Sequence, residues 1–246
     1  MKGKQKIAFL SDIHGNLQAL EAVLKVLDRM EIRRIVCLGD IVGYGAEPEA
    51  CVRLIQKRCL QAVQGNHEAA ILSSHIPSHY RTEVRESLSQ HRGLLTEHSL
   101  RYLASLPLCL KHPFFTAAHG SPRRPRSFEY VTEKESARRY LAEPEVMPVS
   151  FCGHTHRAAV WMMEGDWVEP LPPSDFRIRP HARYLVDVGS VGQPRDRDPR
   201  ACAVIYDPAG RTVEFLRVEY DIAQAARTIL DRGGQPSFAE RLHEGI

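Results

Sequence analysis

Two histidines stand two residues apart, directly after an apolar run in the second half of the chain. The segment SFCGHTHRAAV places His154 and His156 just beyond that run. In an extended path residues i and i+2 face the same side, so both imidazoles can converge on one point. A polar loop that happens to contain histidines is the alternative, and a short motif alone does not exclude it. The decisive question is whether other ligand-type residues reach the same place.

Ligand-type residues follow four other apolar runs in the same way. After the runs IAFL, IVCL, LQAV and FFTAA come side chains suited to metal binding or acid-base chemistry, namely Asp12, His14, Asp40, Asn66, His67, Glu68 and His119. Each also has an ordinary explanation, because Asp often caps helices and Gly-Asp or Gly-Asn often forms turns. Strand ends meet in one crevice in open α/β folds, so the repeated pattern predicts a single site.

The mixture of ligand types indicates which metals the site prefers. Carboxylate, imidazole and amide oxygen together favour Mn, Fe, Zn or Ni over calcium, which prefers oxygen ligands alone. The six cysteines are scattered without a Cys-x-x-Cys motif, which argues against a structural zinc site and predicts reduced, mostly buried thiols. The ligand-type side chains are too many for one ion. We therefore expect two divalent ions that share one carboxylate.

Short apolar runs alternate with helical patterns along the chain, which is typical of an α/β protein. The first run, 6–10, precedes a helix with leucines on one face and Asn16 as its N-cap. The pattern over 67–106 is helical and contains the polar stretch SSHIPSHY, which we interpret as a mobile loop in a helical lid. A C-terminal helix is expected over 221–232.

The strand patterns lie closer together in the second half. The runs PVSFC, AAVWMM, ARYLVDV, ACAVIYD and RTVEFLRV predict a sheet with antiparallel pairs, and DPAG predicts a hairpin turn between the last two. The Pro-rich segment 169–180 is interpreted as a surface excursion. Four histidines in polar helical context are expected to be solvated: His75, His79, His91 and His98. No linker is evident, so 1–246 is expected to form a single domain.

Composition limits the class of protein without identifying it. A chain of 246 residues, 43% of them hydrophobic, can bury a substantial core. No apolar run approaches the length of a membrane span, and the N-terminal stretch lacks the apolar core of a signal peptide, so we expect a cytoplasmic protein that does not bind membranes. The net charge of +3 suits anionic substrates but not a dedicated nucleic-acid surface. The oligomeric state is left open.

The ordered motifs resemble those of the calcineurin-like metallophosphoesterases. The family pattern Asp-x-His, Gly-Asp, Gly-Asn-His-Asp/Glu, His and Gly-His-x-His is matched in sequence order within residues 7–156. The later segment GSVGQPRD is similar to the small bacterial and archaeal phosphodiesterase-like branch, which extends the resemblance to about residue 207. Asp187 and Val188 replace the usual Asn-Pro of that branch.

The resemblance implies a four-layer αββα sandwich of two mixed β-sheets flanked by helices, with a two-metal site. It assigns one ion to Asp12, His14, Asp40 and His156, and the other to Asp40, Asn66, His119 and His154. Asp40 would then bridge the ions, and Mn is the favoured metal. A hydroxide between the ions would attack phosphorus in line. His67 is the expected general acid, and Asn66 is also expected to contact a phosphate oxygen.

Other positions are expected on the substrate side. The segment that contains Gln193, Arg195 and Asp196 is expected to shape the substrate side, with a simple surface turn as the alternative for most of it, and Tyr44 is free to face a substrate ring or ester group. Glu68 is either part of the site or a favourable first-turn acid of a helix.

One departure from the wider superfamily concerns the acid. Protein Ser/Thr phosphatases have Gly-Asp-x-Val-Asp-Arg-Gly where this chain has GDIVGYG. Gly43 therefore replaces the Asp that orients the catalytic histidine, and Tyr44 replaces the Arg that grips phosphate. We expect His67 to find another partner or to act unassisted.

The resemblance implies an enzyme that hydrolyses small phosphoesters, with phosphodiesters and dinucleoside polyphosphates as the leading substrates. A non-catalytic metal-binding scaffold of the same fold is the alternative, as is a phosphomonoesterase or protein phosphatase. A scaffold would be free to lose a ligand or His67, and the chain retains all of them. A nuclease is less favoured, because no basic stripe interleaved with aromatic residues is evident.

Overall fold

Two six-stranded mixed β-sheets pack face to face at the centre of the molecule, and helices cover their outer faces. The computed structural model describes residues 6–246. The strands in chain order are β1 (Ile7–Leu10), β2 (Arg34–Cys37), β3 (Gln61–Ala62), β4 (Cys109–His112), β5 (Phe115–Ala118), β6 (Val149–Cys152), β7 (Ala158–Glu164), β8 (Trp167–Leu171), β9 (Phe176–Arg177), β10 (Arg183–Val188), β11 (Ala201–Asp207) and β12 (Thr212–Val218). This is the expected αββα sandwich.

Eight α-helices surround the sheets within the described part of the chain. They are α1 (Leu17–Arg29), α2 (Pro48–Arg58), α3 (Asn66–Leu72), α4 (Thr82–Leu94), α5 (Glu97–Ser105), α6 (Lys134–Leu141), α7 (Ile222–Asp231) and α8 (Pro236–Glu244). Helix α1 begins where Asn16 accepts a hydrogen bond from the backbone N–H of Ala19, which confirms the predicted cap. Helix α6 covers the second sheet, and the other helices cover the first.

The strand order places the carboxyl ends of five strands at one edge of the sandwich. The first sheet has the order β3-β2-β1-β11-β12-β9, with β1, β2 and β3 parallel. The second has the order β4-β5-β6-β10-β7-β8, with β5, β6 and β10 parallel. Parallel strands end at the same edge, so the segments that follow β1, β2, β3, β5 and β6 lie close together.

The core between the sheets is aromatic at its centre. Phe9 of β1 stacks on Phe151 of β6 with 3.8 Å between ring centroids, and Phe115 of β5 meets Phe9 edge-on at 5.0 Å. All three rings are fully buried, and burial of each stabilises the fold by roughly 1.5–3 kcal/mol. These contacts hold the ends of β1, β5 and β6 at a fixed separation, which positions the residues that follow them.

Several predictions about the second half of the chain need correction. Strands β11 and β12 form the predicted hairpin but join the first sheet, because β11 pairs antiparallel with the free edge of β1. The segment 169–180 is not a simple excursion: its start belongs to β8, and Phe176–Arg177 pairs with β12 of the other sheet. Helix α8 was not predicted, although Pro236 is a typical first helical residue.

The helical prediction for 67–106 is resolved into α3, α4 and α5, with the polar stretch lying in the loop between α3 and α4. His75, His79 and His98 are exposed as predicted, but His91 is buried. The cysteines are all free thiols, and most are buried. In the part of the chain that the structure covers, no helix is long and apolar enough to cross a membrane.

Candidate metal centre and active site

The structure brings all seven predicted ligand side chains to one point at the edge of the sandwich. Asp12 and His14 follow β1, Asp40 follows β2 and His119 follows β5. Asn66 begins α3, and His154 and His156 follow β6. Six of the seven are buried, and Asn66 is partly exposed. These seven side chains form two groups of potential metal-binding atoms.

The first group contains Asp12, His14 and His156, whose ligand atoms lie within reach of one ion. Oδ1 of Asp12 lies 3.3 Å from Nε2 of His156 and 3.7 Å from Nε2 of His14. The two imidazole Nε2 atoms are 3.1 Å apart. Three atoms able to ligate an ion therefore face one another across a small buried space.

The second group contains Asp40, His119, His154 and the amide of Asn66. Nε2 of His119 lies 3.3 Å from Oδ2 of Asp40, 3.0 Å from Oδ1 of Asn66 and 3.0 Å from Nδ1 of His154. Oδ2 of Asp40 is also 3.8 Å from Nε2 of His14, in the first group. Asp40 therefore lies between the two groups, with Oδ2 close to an imidazole nitrogen of each.

Backbone carbonyl groups fix the direction of three of the imidazoles. Nδ1 of His14 lies 2.9 Å from the carbonyl oxygen of Val42, Nδ1 of His119 lies 2.8 Å from that of Leu38, and Nδ1 of His156 lies 2.6 Å from that of Gln193. A carbonyl only accepts, so each Nδ1 carries a proton and each Nε2 faces the centre, where it can ligate an ion once any second proton has left. His154 differs, because its Nδ1 faces the centre.

The backbone is strained at most of the predicted ligands. Non-glycine residues in the left-handed region include Asp12 (φ 53°), His14 (φ 50°), Asp40 (φ 50°), His154 (φ 71°) and His156 (φ 59°). Such conformations cost of order 1–3 kcal/mol each and persist where surrounding structure enforces them. Hydrogen bonds between the loops after β1 and β2 do so, from the N–H of Asp12 to the carbonyl of Gly39 and from that of His14 to the carbonyl of Asp40.

The donor set fits divalent metal ions. Oδ1 of Asp12 is fully buried and has no hydrogen-bond partner among the described residues, although a buried carboxylate oxygen normally has one. A cation beside Oδ1 would supply the missing interaction. Carboxylate, imidazole and amide oxygen ligands match Mn, Fe, Zn and Ni.

The electrostatics of the centre favour positive charge. Burial opposes ionisation of Asp12 and Asp40, but the surrounding histidines outweigh it and lower the pKa of both carboxyl groups. Burial likewise opposes protonation of His119, but the carboxylate of Asp40 outweighs it and raises the pKa of His119 to about 10. Burial lowers the pKa of His154 to about 3, so its lone pair is free to ligate.

Glu68 secures the loop that carries Asp40. Its two carboxylate oxygens accept four backbone N–H groups: those of Asp40 (2.7 Å), Ile41 (2.8 Å), Val42 (3.2 Å) and Gly65 (2.9 Å). The side chain is fully buried, and burial together with the charge of Asp40 raises the pKa of Glu68 to about 7. Glu68 is therefore more than a favourable acid in the first turn of α3, because its side chain connects α3 to the loop that carries Asp40.

His67 does have a partner in place of the missing Asp. Its Nδ1 lies 3.1 Å from the carbonyl oxygen of Val42, and its backbone N–H donates to Oδ1 of Asp40 at 2.9 Å. Gly43 packs against the ring, and a Cβ at Gly43 would overlap Nδ1 of His67. Burial lowers the pKa of His67 to about 3. His67 also lies near enough to His14 and Asp40 to form a third group within reach of one ion.

His91 supports the same loop, contrary to the prediction that it is solvated. The N–H of Gly43 donates to Nδ1 of His91 at 2.8 Å, and Nε2 of His91 lies 2.8 Å from the carbonyl oxygen of Gly45. Burial lowers the pKa of His91 to about 4, which keeps it neutral in this role. His91 lies on the buried face of α4 with Val84 and Leu88, a helical spacing that the sequence contains.

Asp187 lies beneath the loop that carries His154 and His156. One of its oxygens accepts the N–H of Gly189 at 3.0 Å, and the other lies 2.7 Å from Oγ1 of Thr155. Burial raises the pKa of Asp187 well above its usual range. Thr155 can thus be held by a neutral carboxylic acid, as it would be by the amide that the resembling branch has at this position.

Of the residues predicted on the substrate side, Arg195 contacts Tyr44 and Gln193, and the side chain of Asp196 binds elsewhere. Nη2 of Arg195 lies 3.3 Å from the hydroxyl of Tyr44 and donates to Oε1 of Gln193 at 2.8 Å. Tyr44 is close to the imidazoles of His14 and His67, with ring centroids 4.5 Å and 4.9 Å away. Asp196, in contrast, binds the guanidinium of Arg217 and does not line the cleft.

A cleft of about 590 Å³ opens over the centre. Arginine side chains line it at Arg81, Arg126 and Arg195, and among the described lining residues Asp40 is the one carboxylate. Aromatic side chains that sequence reasoning missed also line it: Tyr80, Phe128 and Tyr130. The ring of Tyr130 stacks on His154 with 3.8 Å between centroids. Tyr80 lies in the polar stretch SSHIPSHY that the sequence predicts as a loop, and this is the one sequence feature that indicates a place for Tyr80 in the cleft wall.

The sandwich and the buried carboxylate-histidine centre define the metallophosphoesterase class. The chain belongs to the calcineurin-like phosphoesterase superfamily, whose domain it matches over residues 6–209. It is 33% identical over 247 residues to an uncharacterized protein of Methanocaldococcus jannaschii, across 98% of this chain and 99% of that protein.

Solved structures show the same architecture. A metallophosphoesterase from Sphaerobacter thermophilus is 34% identical with a TM-score of 0.87, covering 99% of this chain and 100% of that one. A hypothetical protein from Pyrococcus horikoshii is 19% identical with a TM-score of 0.80, covering 98% of each chain. The likeness to the Pyrococcus protein shows the fold, whereas the Sphaerobacter protein supports the family as well.

Proposed function

We propose that this protein is a dinuclear-metal phosphoesterase that hydrolyses small phosphodiesters or dinucleoside polyphosphates. The observation that carries the proposal is the pair of buried ligand groups on either side of Oδ2 of Asp40, with Asp12 offering an unpartnered carboxylate oxygen. One ion would be held by Asp12, His14, Asp40 and His156. The other would be held by Asp40, Asn66, His119 and His154. Mn is the favoured metal.

The ions, when bound, supply Lewis acidity toward water and toward the phosphate oxygens. The protein supplies the rest of the chemistry. His67 is proposed to donate a proton from Nε2 to the leaving oxygen, while Val42 accepts a hydrogen bond from Nδ1 and fixes the ring. Both nitrogens carry protons only in the imidazolium form, so the proposal requires the negative charge of a bound phosphate to offset the burial that lowers the pKa of His67 to about 3. Nε2 of His67 lies 3.9 Å from Oδ2 of Asp40, so the acid stands beside the shared carboxylate without direct hydrogen bonding to it.

Arg195 is proposed to bind a phosphate oxygen, with Tyr44 and Asn66 beside it. The superfamily arginine that grips phosphate is replaced by Tyr44 here, and the guanidinium of Arg195 reaches the Tyr44 hydroxyl from another loop. Arg195 lines the cleft together with Asn66 and His67, so its guanidinium supplies a positive charge and N–H donors for an anion there. Arg195 can therefore take over the role of the missing arginine.

The form of the cleft supports a substrate larger than a simple phosphomonoester. A volume of about 590 Å³ falls within the range of cofactor-sized sites. Arg81 and Arg126 lie beyond the centre and suit a second anionic group, while Tyr80 and Tyr130 offer rings that can stack on a base. Both features favour a nucleotide-type phosphodiester or polyphosphate.

The lid is also proposed, in a narrower form than the sequence indicated. The loop between α3 and α4 contributes Pro77, His79, Tyr80 and Arg81 to the wall of the cleft. Helices α4 and α5 pack against α2 and α3, so they belong to the body of the molecule. We propose residues 73–81 as the lid within a single domain.

Hydrolysis after metal removal and reconstitution tests the proposal. The purified protein is stripped with a chelator, reloaded separately with Mn²⁺, Fe²⁺, Zn²⁺ or Ni²⁺, and assayed on bis-p-nitrophenyl phosphate, p-nitrophenyl phosphate, cyclic nucleotides and diadenosine polyphosphates. We expect turnover of a diester or polyphosphate that depends on metal and is highest with Mn²⁺.

Matched variants make the assay specific. Asp40→Asn removes the shared anion and should abolish nearly all turnover together with at least one ion, whereas the exposed Asp28→Asn should change neither. If no metal restores hydrolysis of any substrate, the protein is a scaffold, and if monoesters alone are hydrolysed, the diesterase assignment is wrong.

A further inference from the structure

One side chain of the loop between α3 and α4 contacts both Asn66 and His67. The hydroxyl oxygen of Tyr80 lies 2.9 Å from Nδ2 of Asn66 and 3.2 Å from the carbonyl oxygen of Asn66. The ring of Tyr80 meets the imidazole of His67 edge-on, with 5.9 Å between centroids and an interplanar angle of 89°. No motif of the family pattern includes Tyr80.

The hydrogen-bond chemistry of a phenol fixes which end of the Asn66 amide it meets. Tyr80 has one O–H, and it donates to the backbone carbonyl of Asn66. The hydroxyl oxygen is then left as an acceptor, so it must face the NH₂ of the amide and not Oδ1.

The direction of the amide matters for the metal centre. Oδ1 of Asn66 lies 3.0 Å from Nε2 of His119, in the second ligand group. An amide oxygen ligates a divalent ion, whereas an amide nitrogen in the same place would turn its hydrogens toward the ion. Among the described residues, Tyr80 is the one hydrogen-bond partner of Nδ2 of Asn66.

We infer that Tyr80 is a positioning residue for the second metal ion, and that it acts by holding the amide oxygen of Asn66 toward His119. The inference rests on the proposed assignment of Asn66 to that ion. Outer partners that orient ligands typically change metal affinity by 10–100-fold when they are removed. Tyr80 also lies in the cleft wall, so the same hydroxyl connects the loop to the second ion.

Metal affinity measured without substrate tests the inference. The chelated full-length protein is titrated with Mn²⁺ alone by calorimetry, and the bound metal is counted by elemental analysis. Tyr80→Phe keeps the ring against His67 and removes the hydroxyl. We expect it to weaken one of the two ions by about 10–100-fold and to leave the other within about twofold. Tyr102→Phe, at a tyrosine of α5 that does not line the cleft, is the matched control and should leave both affinities unchanged.

A double variant separates positioning from a general structural effect. If Tyr80 acts through Asn66, then Tyr80→Phe should cause little further loss of Mn²⁺ affinity in an Asn66→Ala background. Three results would each overturn the inference: unchanged Mn²⁺ affinities in Tyr80→Phe, equal weakening of both ions, or losses that add fully to those of Asn66→Ala. In any of these cases, a wild-type protein that binds two ions still upholds the proposed metal centre. A wild type that binds no second ion contradicts both.

Discussion

Among isosteric changes near the centre, replacing Glu68 by Gln should lower the free energy of unfolding most. Each carboxylate oxygen of Glu68 accepts two backbone N–H groups, with Ile41 and Val42 on one oxygen and Asp40 and Gly65 on the other. In Gln one oxygen becomes an NH₂, so two of the four N–H groups face a donor. At pH 8, where a carboxyl group with a pKa of about 7 is ionised, a hydrogen bond to the charged group contributes about 1.5–3 kcal/mol, so we expect a loss of about 3–6 kcal/mol in the free energy of unfolding at that pH.

Urea unfolding of the chelated protein measures this loss without a contribution from bound metal. Glu97→Gln is the control, because the side chain of Glu97 is 90% exposed on α5 and should change stability by less than about 0.5 kcal/mol. Glu68→Gln should also weaken Mn²⁺ binding, since the loop that carries Asp40 loses its anchor. A Glu68→Gln protein that unfolds within about 1 kcal/mol of wild type would refute the reasoning that the carboxylate holds the loop.

Three further outcomes follow from the same contacts. His67→Asn should keep both ions and lower kcat by about 10²–10⁴ for an alkyl or nucleoside leaving group but much less for p-nitrophenol, and an equal loss across a leaving-group series would exclude a general acid. Gly43→Ala should reproduce that pattern by displacing His67, whereas Gly93→Ala, where an added Cβ meets no atom within 4 Å, should not. Asp187→Asn should become more stable relative to wild type as pH rises above about 4, because the raised pKa of Asp187 makes its ionisation unfavourable in the folded state. Each unit of pKa difference between the folded and unfolded states contributes about 1.4 kcal/mol. Urea unfolding of both proteins at pH 5 and pH 8 tests this, and a stability difference that does not change with pH contradicts it.

The ligand residues could be predicted from the sequence because most of them directly follow a predicted strand. Asp12, Asp40 and His119 each follow a short apolar run, and the rule that parallel strands end at one edge is enough to bring them together. The αββα layering itself came from the family resemblance, since periodicity indicated an α/β protein without dividing the strands between two sheets. Strands β11 and β12 belong to the first sheet because β11 pairs with β1, which is remote in sequence, and no local pattern predicts that pairing.

The supporting contacts were not predictable for a different reason. The partner of His67 is a backbone carbonyl, which every residue has, so no side-chain pattern identifies Val42. Tyr80 reaches Asn66 from a loop whose path depends on the packing of α3 and α4. His91 is the exception, because its helical spacing from Val84 and Leu88 places it on the buried face and could have corrected the prediction of a solvated side chain.

Diffraction from crystals of the wild-type protein grown with Mn²⁺, recorded at the manganese absorption edge, tests the two-metal centre most directly. We expect two anomalous peaks about 3.5–4 Å apart, one on each side of the Asp40 carboxylate. The first should lie against Asp12, His14 and His156, and the second against Asn66, His119 and His154. A single peak, a peak coordinated by His67, or peaks outside this centre would contradict the account.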